Sequence, residues 1–135
     1  MGLNILLIDD DEIERLKFAR VLQKNNYPHN IIEAINGEEA LDVLAQKEKL
    51  PDLIFLDLNM PKMNGLEFLK ELKADATLQY LPVVILSTSN NHQDLKEAYR
   101  IGASGYIVKP LKYEDYVHKI KCLIEYWTVN ELVKG

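Results

Sequence analysis

Chemistry in this chain can be organised around Asp57. It closes an apolar run, Leu53-Ile54-Phe55-Leu56, and is followed by Leu58-Asn59-Met60-Pro61 and a turn at Gly65. An earlier run, Ile5-Leu6-Leu7-Ile8, also stops on acids, here Asp9, Asp10 and Asp11. Two strand-like segments that end on carboxylates imply a shared acidic pocket. Such a pocket repels its own charges unless a divalent cation offsets them, and oxygen donors suit magnesium. A carboxylate held beside that ion can act as a nucleophile toward phosphorus. Farther along, Ser87 and Thr88 end a third apolar run, and Lys109 ends a fourth just before Pro110. A hydroxyl can donate to a phosphoryl oxygen. An ammonium can pair with a carboxylate at rest and with a phosphoryl oxygen afterwards. Phosphoryl transfer depends mainly on positioning and charge stabilisation, and these groups supply both.

Each residue taken alone has an ordinary explanation. An Asp at a strand end is usually a solvated cap, and Asp11 fits the cap of the first helix. A strand-end Lys is usually a surface charge, and Ser87 and Thr88 suit a turn. The acid pairs Glu12/Glu14 and Glu38/Glu39 suit solvated helix starts near the positive dipole end. The phosphoryl reading rests on coincidence: acids end two strands, while a hydroxyl and a lysine end two others.

The elements that must position these groups alternate along the chain. Apolar runs at Leu3 to Ile8, Ile31 to Ile35, Leu53 to Leu56, Val83 to Leu86 and Tyr106 to Val108 lack polar alternation. That pattern predicts parallel strands covered on both faces. Helical spacing lies between them. It is marked by Ile13, Leu16 and Ala19, then by Ala40, Leu41 and Leu44, then by Leu66, Leu69 and Leu72, and then by Leu95, Ala98 and Tyr99. The last helix carries the clearest stripe, Tyr113, Val117, Ile120, Ile124 and Trp127. Asn36-Gly37 and Asn64-Gly65 punctuate helix starts, Pro51 and Pro82 precede strands, and Gly102 and Gly105 mark the step into the fifth strand. Five strand-helix units predict a doubly wound α/β sheet with right-handed crossovers. Ligands of such sheets collect at the carboxyl ends of strands where strand order reverses. With order 2-1-3-4-5 that point lies between strands one and three, where Asp9, Asp10 and Asp57 stand.

Composition bounds the alternatives. The 135 residues fit one domain, expected over 1–127, with a short tail at 128–135 and no effector domain. A net charge of −5 with no block of Lys or Arg weighs against nucleic acid and against an anionic membrane surface. No signal-peptide pattern or membrane-length apolar stretch is present, so a soluble, cytoplasmic protein is expected. The lone Cys122 excludes an internal disulfide, agrees with a reducing compartment, and is expected to be a buried, inert thiol on the last helix. His29, His92 and His118 lack ligand spacing, which argues against zinc.

Taken in order, these residues resemble the receiver domain of two-component response regulators, over roughly Asn4 to Trp127. The resemblance is carried by Ile8-Asp9-Asp10-Asp11, by Asp57-Leu58-Asn59-Met60-Pro61 with Asn64-Gly65, by Leu81-Pro82-Val83 leading to Ser87, and by Gly102-Ala103-Ser104-Gly105-Tyr106 running into Lys109-Pro110. It implies a flavodoxin-like (βα)5 fold. It also implies that Asp57 accepts a phosphoryl group from a sensor histidine kinase or phosphotransfer protein. Asp10 would be a direct Mg2+ ligand together with Asp57 and the backbone carbonyl of Asn59, with Asp9 binding through water. Ser87 and Lys109 would contact the phosphoryl oxygens, and Tyr106 would swing inward when Ser87 is drawn toward them. Asn59 and Ser89 match positions that tune the attacking water. Lys109-Pro110 would be a cis peptide. The output would be a protein-interaction surface on the fourth helix, fifth strand and fifth helix, offered to a downstream protein target. Ser87-Thr88-Ser89 and Tyr126-Trp127 are also similar to regulators paired with phytochrome-type sensor kinases. That similarity implies a homodimer through the last helix and tail. Trp127 can equally pack back on the core, because aromatic residues serve both.

Two other functions share parts of the pattern. A phosphatase of the haloacid-dehalogenase type needs a second acid two residues after its nucleophile, and Asn59 stands there. A flavodoxin-like FMN carrier needs a hydroxyl- and glycine-rich loop after the first strand, where this chain has three acids that would repel a phosphate. Thr88 departs from the family, which often has a smaller residue there. Its branched side chain beside the acceptor is expected to slow phosphoryl entry or hydrolysis. Phosphorylation and hydrolysis rates of Thr88→Ala against the parent check this, and equal rates remove it.

Overall fold

The computed structural model describes residues 2–46 and 50–133. Five strands, β1 (Asn4–Ile8), β2 (Asn30–Ala34), β3 (Leu53–Leu56), β4 (Val83–Ser87) and β5 (Gly105–Val108), alternate with five helices. The helices are α1 (Glu12–Lys24), α2 (Gly37–Gln46), α3 (Gly65–Ala74), α4 (His92–Ile101) and α5 (Tyr113–Thr128), and a short 3₁₀ turn (Leu78–Tyr80) precedes β4. All neighbouring strands pair in parallel, in the order β2-β1-β3-β4-β5. The doubly wound, flavodoxin-like α/β fold expected from the sequence is the one observed.

Successive strand residues face opposite sides of a sheet, and the apolar runs fill both sides. Leu6, Ile8, Ile54, Leu56, Val83 and Ile85 face the layer of α2, α3 and α4, where Leu44, Phe68, Leu69 and Leu72 cover them. Ile5, Leu7, Leu53, Phe55, Val84 and Leu86 face α1 and α5, covered by Phe18, Leu22, Tyr116, Ile120 and Ile124. The central strands are buried on both faces, which is why their sequence shows no alternation.

Capping fixes where the helices begin. The Asp11 side chain accepts from the Ile13 N–H at 2.9 Å, so Asp11 caps α1 as expected. Asn64 and Glu67 form a reciprocal capping box on α3. Gly102 ends α4 at φ +133°, a conformation that disfavours a side chain.

Three expectations are corrected. The stripe predicted for α1 has the right period and the wrong phase: Ile13 and Leu16 are 67% and 57% exposed, and the helix buries Phe18, Val21 and Leu22 instead. Phe18 has the largest apolar side chain on α1, and burying it together with Val21 and Leu22 sets the rotation. Cys122 is exposed rather than buried. It lies on the side of α5 opposite Ile120 and Ile124, with its Sγ 3.7 Å from His118 Nε2. The Lys109-Pro110 peptide is trans, the favoured form even before proline by about 0.5–1 kcal/mol.

Trp127 packs into the α1/α5 layer, leaving Tyr126 exposed beside it. Of the segment expected as a tail, Thr128 completes α5, Leu132 packs against the same layer, and Lys134 and Gly135 lie outside the described residues.

Phe55 is fully buried, with its ring 4.9 Å from that of Phe18 between centroids. Phe55→Ala leaves a cavity under β3 and is expected to lower unfolding free energy by about 3–5 kcal/mol. Urea unfolding against the parent measures it. A loss below about 1 kcal/mol would contradict this packing.

Candidate functional site

The site is assembled by the last hydrogen bonds of the sheet. The Asp9 N–H donates to Ala34 O (3.0 Å), the Asp57 N–H to Ile8 O (2.9 Å) and the Lys109 N–H to Ser87 O (2.8 Å). Each residue stands one step past its strand, on backbone still held by a neighbour. The loop after β3 is further pinned by the Gly65 N–H, which donates to Leu58 O at 3.0 Å. A Cβ at Gly65 would sit 2.4 Å from the Asp57 carbonyl oxygen, so only glycine lets α3 start this close to the acid.

This backbone brings the predicted acids together. Carboxylate oxygens of Asp9, Asp10 and Asp57 lie within 4.8 Å of one another, with Asp9 and Asp57 buried and Asp10 exposed. Among the described residues they form the one group of three or more candidate ligands. Asp9 is fully engaged, with Oδ1 accepting from the Asp11 N–H (3.0 Å) and Oδ2 from Lys109 Nζ (2.9 Å). Burial and the neighbouring Asp9 charge push the Asp57 carboxyl up to about 6, against the pull of Lys109 and of a backbone hydrogen bond from Asn59. A hard divalent cation fits this donor set: the ligands are carboxylate oxygens, and their repulsion is incompletely offset without one.

Lys109 bridges β5 back to β1. Its side chain is 7% exposed. Burial disfavours its charge, but Asp9, Asp57 and Glu14 outweigh that and hold the ammonium above its ordinary pKa. Ser87 is fully buried at the end of β4, its Oγ accepting from the Ser89 N–H at 3.2 Å, and Thr88 beside it is exposed. Ser89 Oγ in turn donates to Asp94 at 2.8 Å. The half-buried Tyr106 donates its hydroxyl proton to Ser89 O at 2.9 Å, which ties β5 to the β4–α4 loop.

Glu14 is the functional neighbour that the sequence reading missed. Expected as a solvated helix start, it lies with Oε1 3.1 Å from Lys109 Nζ and Oε2 3.2 Å from Lys17 Nζ. Burial raises its pKa, yet the two lysines prevail and hold it below the ordinary carboxylate value. The available signal was its phase, since Glu14, Phe18 and Val21 share one face of α1 at helical spacing.

The family signature of the response regulator receiver domain matches residues 5–121. The chain belongs to that family. It is 34% identical over 127 residues to the probable methanogenesis regulatory protein FilR2 of Methanothrix harundinacea, covering 91% of this chain and 82% of that protein. It is 31% identical to the response regulator Rcp1 of Synechocystis, covering 91% of this chain and 87% of Rcp1. The crystal structure of the phosphorylated cyanobacterial phytochrome response regulator RcpA superposes with TM-score 0.91 at 33% identity, covering 98% of this chain and 99% of RcpA. Receiver domains are signalling switches of two-component systems. Phosphorylation on an aspartate and Mg2+ at an acidic pocket are general to them.

Membership leaves the electrostatics of this acid set to be measured. A carboxyl whose folded pKa lies above its unfolded value of 3.8 binds its proton more tightly in the folded state. Its contribution favours folding in acid and is lost as pH rises through about 6. In chelator, Asp57→Asn is therefore expected to be more stable than the parent near neutrality, by up to about 3 kcal/mol. The gap closes as pH falls toward about 4, and Mg2+ narrows it near neutrality by stabilising the parent, with its full set of acids, more than the variant. Urea unfolding across this range, with and without Mg2+, checks the sign; a gap independent of pH would contradict it.

Proposed function

We propose that Asp57 is the phosphoryl acceptor of a two-component switch, served by a sensor histidine kinase or phosphotransfer protein. The observation that carries this is the convergence of Asp9, Asp10 and Asp57 within 4.8 Å, with buried Lys109 on Asp9. The Asp57 carboxylate oxygen attacks phosphorus. The bond to the donor histidine nitrogen breaks, and the nitrogen keeps the electron pair. When bound, Mg2+ supplies charge neutralisation for the acids and the incoming phosphoryl group, and Asp10, Asp57, the Asn59 carbonyl and, through water, Asp9 would hold it. Lys109 turns toward a phosphoryl oxygen and Ser87 donates to another. Water later cleaves the acyl phosphate and restores the carboxylate. The protein thus catalyses its own modification and is not an enzyme acting on a separate substrate.

The output follows from the same groups. Drawing Ser87 toward the phosphoryl group shifts the Ser87–Ser89 segment, whose Ser89 carbonyl accepts from the Tyr106 hydroxyl. Tyr106 then moves inward and changes the face of α4, β5 and α5 presented to a downstream protein. Kinship with the phytochrome regulators supports a kinase of that type as the donor. RcpA matches over 98% of this chain at TM-score 0.91, whereas the chemotaxis regulator CheY4 of Vibrio cholerae reaches 0.74 over 91%. A homodimer through the C-terminal helix region would use the exposed Tyr126, Val129 and Val133.

Asp57→Asn is expected to keep the fold and to lose labelling by a small phosphodonor or by the cognate kinase. Mass spectrometry of the intact protein reads the gain of one phosphoryl group. Full labelling of Asp57→Asn would assign the acceptor elsewhere.

A further inference from the structure

Among the described residues Lys109 has two carboxylate partners, Asp9 of the acid set and Glu14 outside it. Asp9 Oδ2 accepts from Nζ at 2.9 Å with hydrogen-bond geometry. Glu14 Oε1 stands 3.1 Å from the same nitrogen as an ion pair, and among the described residues this buried oxygen has no partner that meets full hydrogen-bond geometry. Attraction without alignment makes the Glu14 contact the weaker of the two. The other Glu14 oxygen is held by Lys17 Nζ at 3.2 Å, and that nitrogen lies 4.5 Å above the centre of the Tyr116 ring. Glu14 is thereby anchored from its far side on α1 and α5. It keeps its position and a counter-charge when the Lys109 ammonium leaves.

We infer that Glu14 is a positioning residue for Lys109: it shares the ammonium with Asp9 at rest and yields it when a phosphoryl group arrives on Asp57. This rests on the reading of Asp57 as acceptor and Lys109 as the phosphoryl contact. Glu14 then sets how strongly the lysine is retained, and so how far the balance favours the phosphorylated arrangement. Lys17 acts in the opposite sense. By drawing the Glu14 charge toward itself it weakens the hold on Lys109. A residue that merely stabilises α1 would lower stability when changed but would not give opposite signs at Glu14 and Lys17.

The test is beryllofluoride affinity of the full chain at saturating Mg2+, read by fluorine NMR of the bound species, with Mg2+ affinity measured separately. Glu14→Gln is expected to tighten beryllofluoride about fivefold, the scale of a partly exposed ion pair. Lys17→Met is expected to weaken it by a similar factor, and the double variant is expected to match Glu14→Gln, because Lys17 acts through the Glu14 charge. Unchanged or weaker affinity in Glu14→Gln, or tighter affinity in Lys17→Met, overturns the proposal while leaving the acceptor reading intact. Failure of the folded parent itself to bind beryllofluoride would instead remove the acceptor reading and this inference with it. Should Glu14→Gln not fold, Lys17→Met alone decides, because its expected sign is opposite to that of any gain from releasing the lysine.

Discussion

Everything at this site follows from like charge held where water is scarce. Asp9 and Asp57 are buried beside each other, and burial together with Asp9 is what raises the Asp57 carboxyl. The sheet must hold these groups against their own repulsion. It does so with a backbone bond from each of these acids to the neighbouring strand, joined at Asp9 by the Arg15 side chain, which donates to its carbonyl oxygen. Lys109 offsets part of the charge from far along the chain, bridging the end of β5 back to the end of β1.

The rotation of α1 links the core to the chemistry. Placing Phe18, Val21 and Leu22 in the layer under β3 brings Glu14 onto the same face, one turn closer to the acids. The same rotation turns Ile13 and Leu16 out to solvent near the helix start. Apolar side chains exposed next to a capped helix terminus are ordinary one by one. Here they record that the α1 phase was decided by Phe18 with Val21 and Leu22, with the first turn left to carry charge.

Most of this arrangement could be read from residues alone. The alternation of strands and helices, strands covered on both faces, the cap at Asp11 and the helix start at Asn64-Gly65 follow from apolar runs that stop on carboxylates and from turn signals between them; the strand order, and with it the convergence of the three acids, belongs to the family resemblance. What could not be read was phase and contact. The choice between Ile13 and Phe18 as the inward side of α1 depends on which surface the sheet offers, a tertiary quantity. The exposure of Cys122 turned on one step of rotation around α5. Glu14 was misread because an acid in a first turn has a sufficient local explanation in the helix dipole, and the lysine that meets it is distant in sequence. The cis isomer of Lys109-Pro110 was expected only from the resemblance, and the intrinsically favoured trans form is the one observed.

A switch needs a movable part whose two states differ by little, and the structure supplies one beside a rigid frame. The strands ending in Asp57 and Ser87 are buried throughout, whereas β5 is half-buried along its length and Tyr106 is fastened at its tip by one hydrogen bond to a loop carbonyl. A neutral bond of that kind contributes on the order of 1 kcal/mol net. On the proposed reading, a phosphoryl group on Asp57 would engage Ser87 and Lys109 through charge-assisted bonds, while Lys109 would give up its bond to Asp9 in exchange. Displacement would then fall on the β4–α4 loop and the β5 edge, which are less buried than β3 and β4.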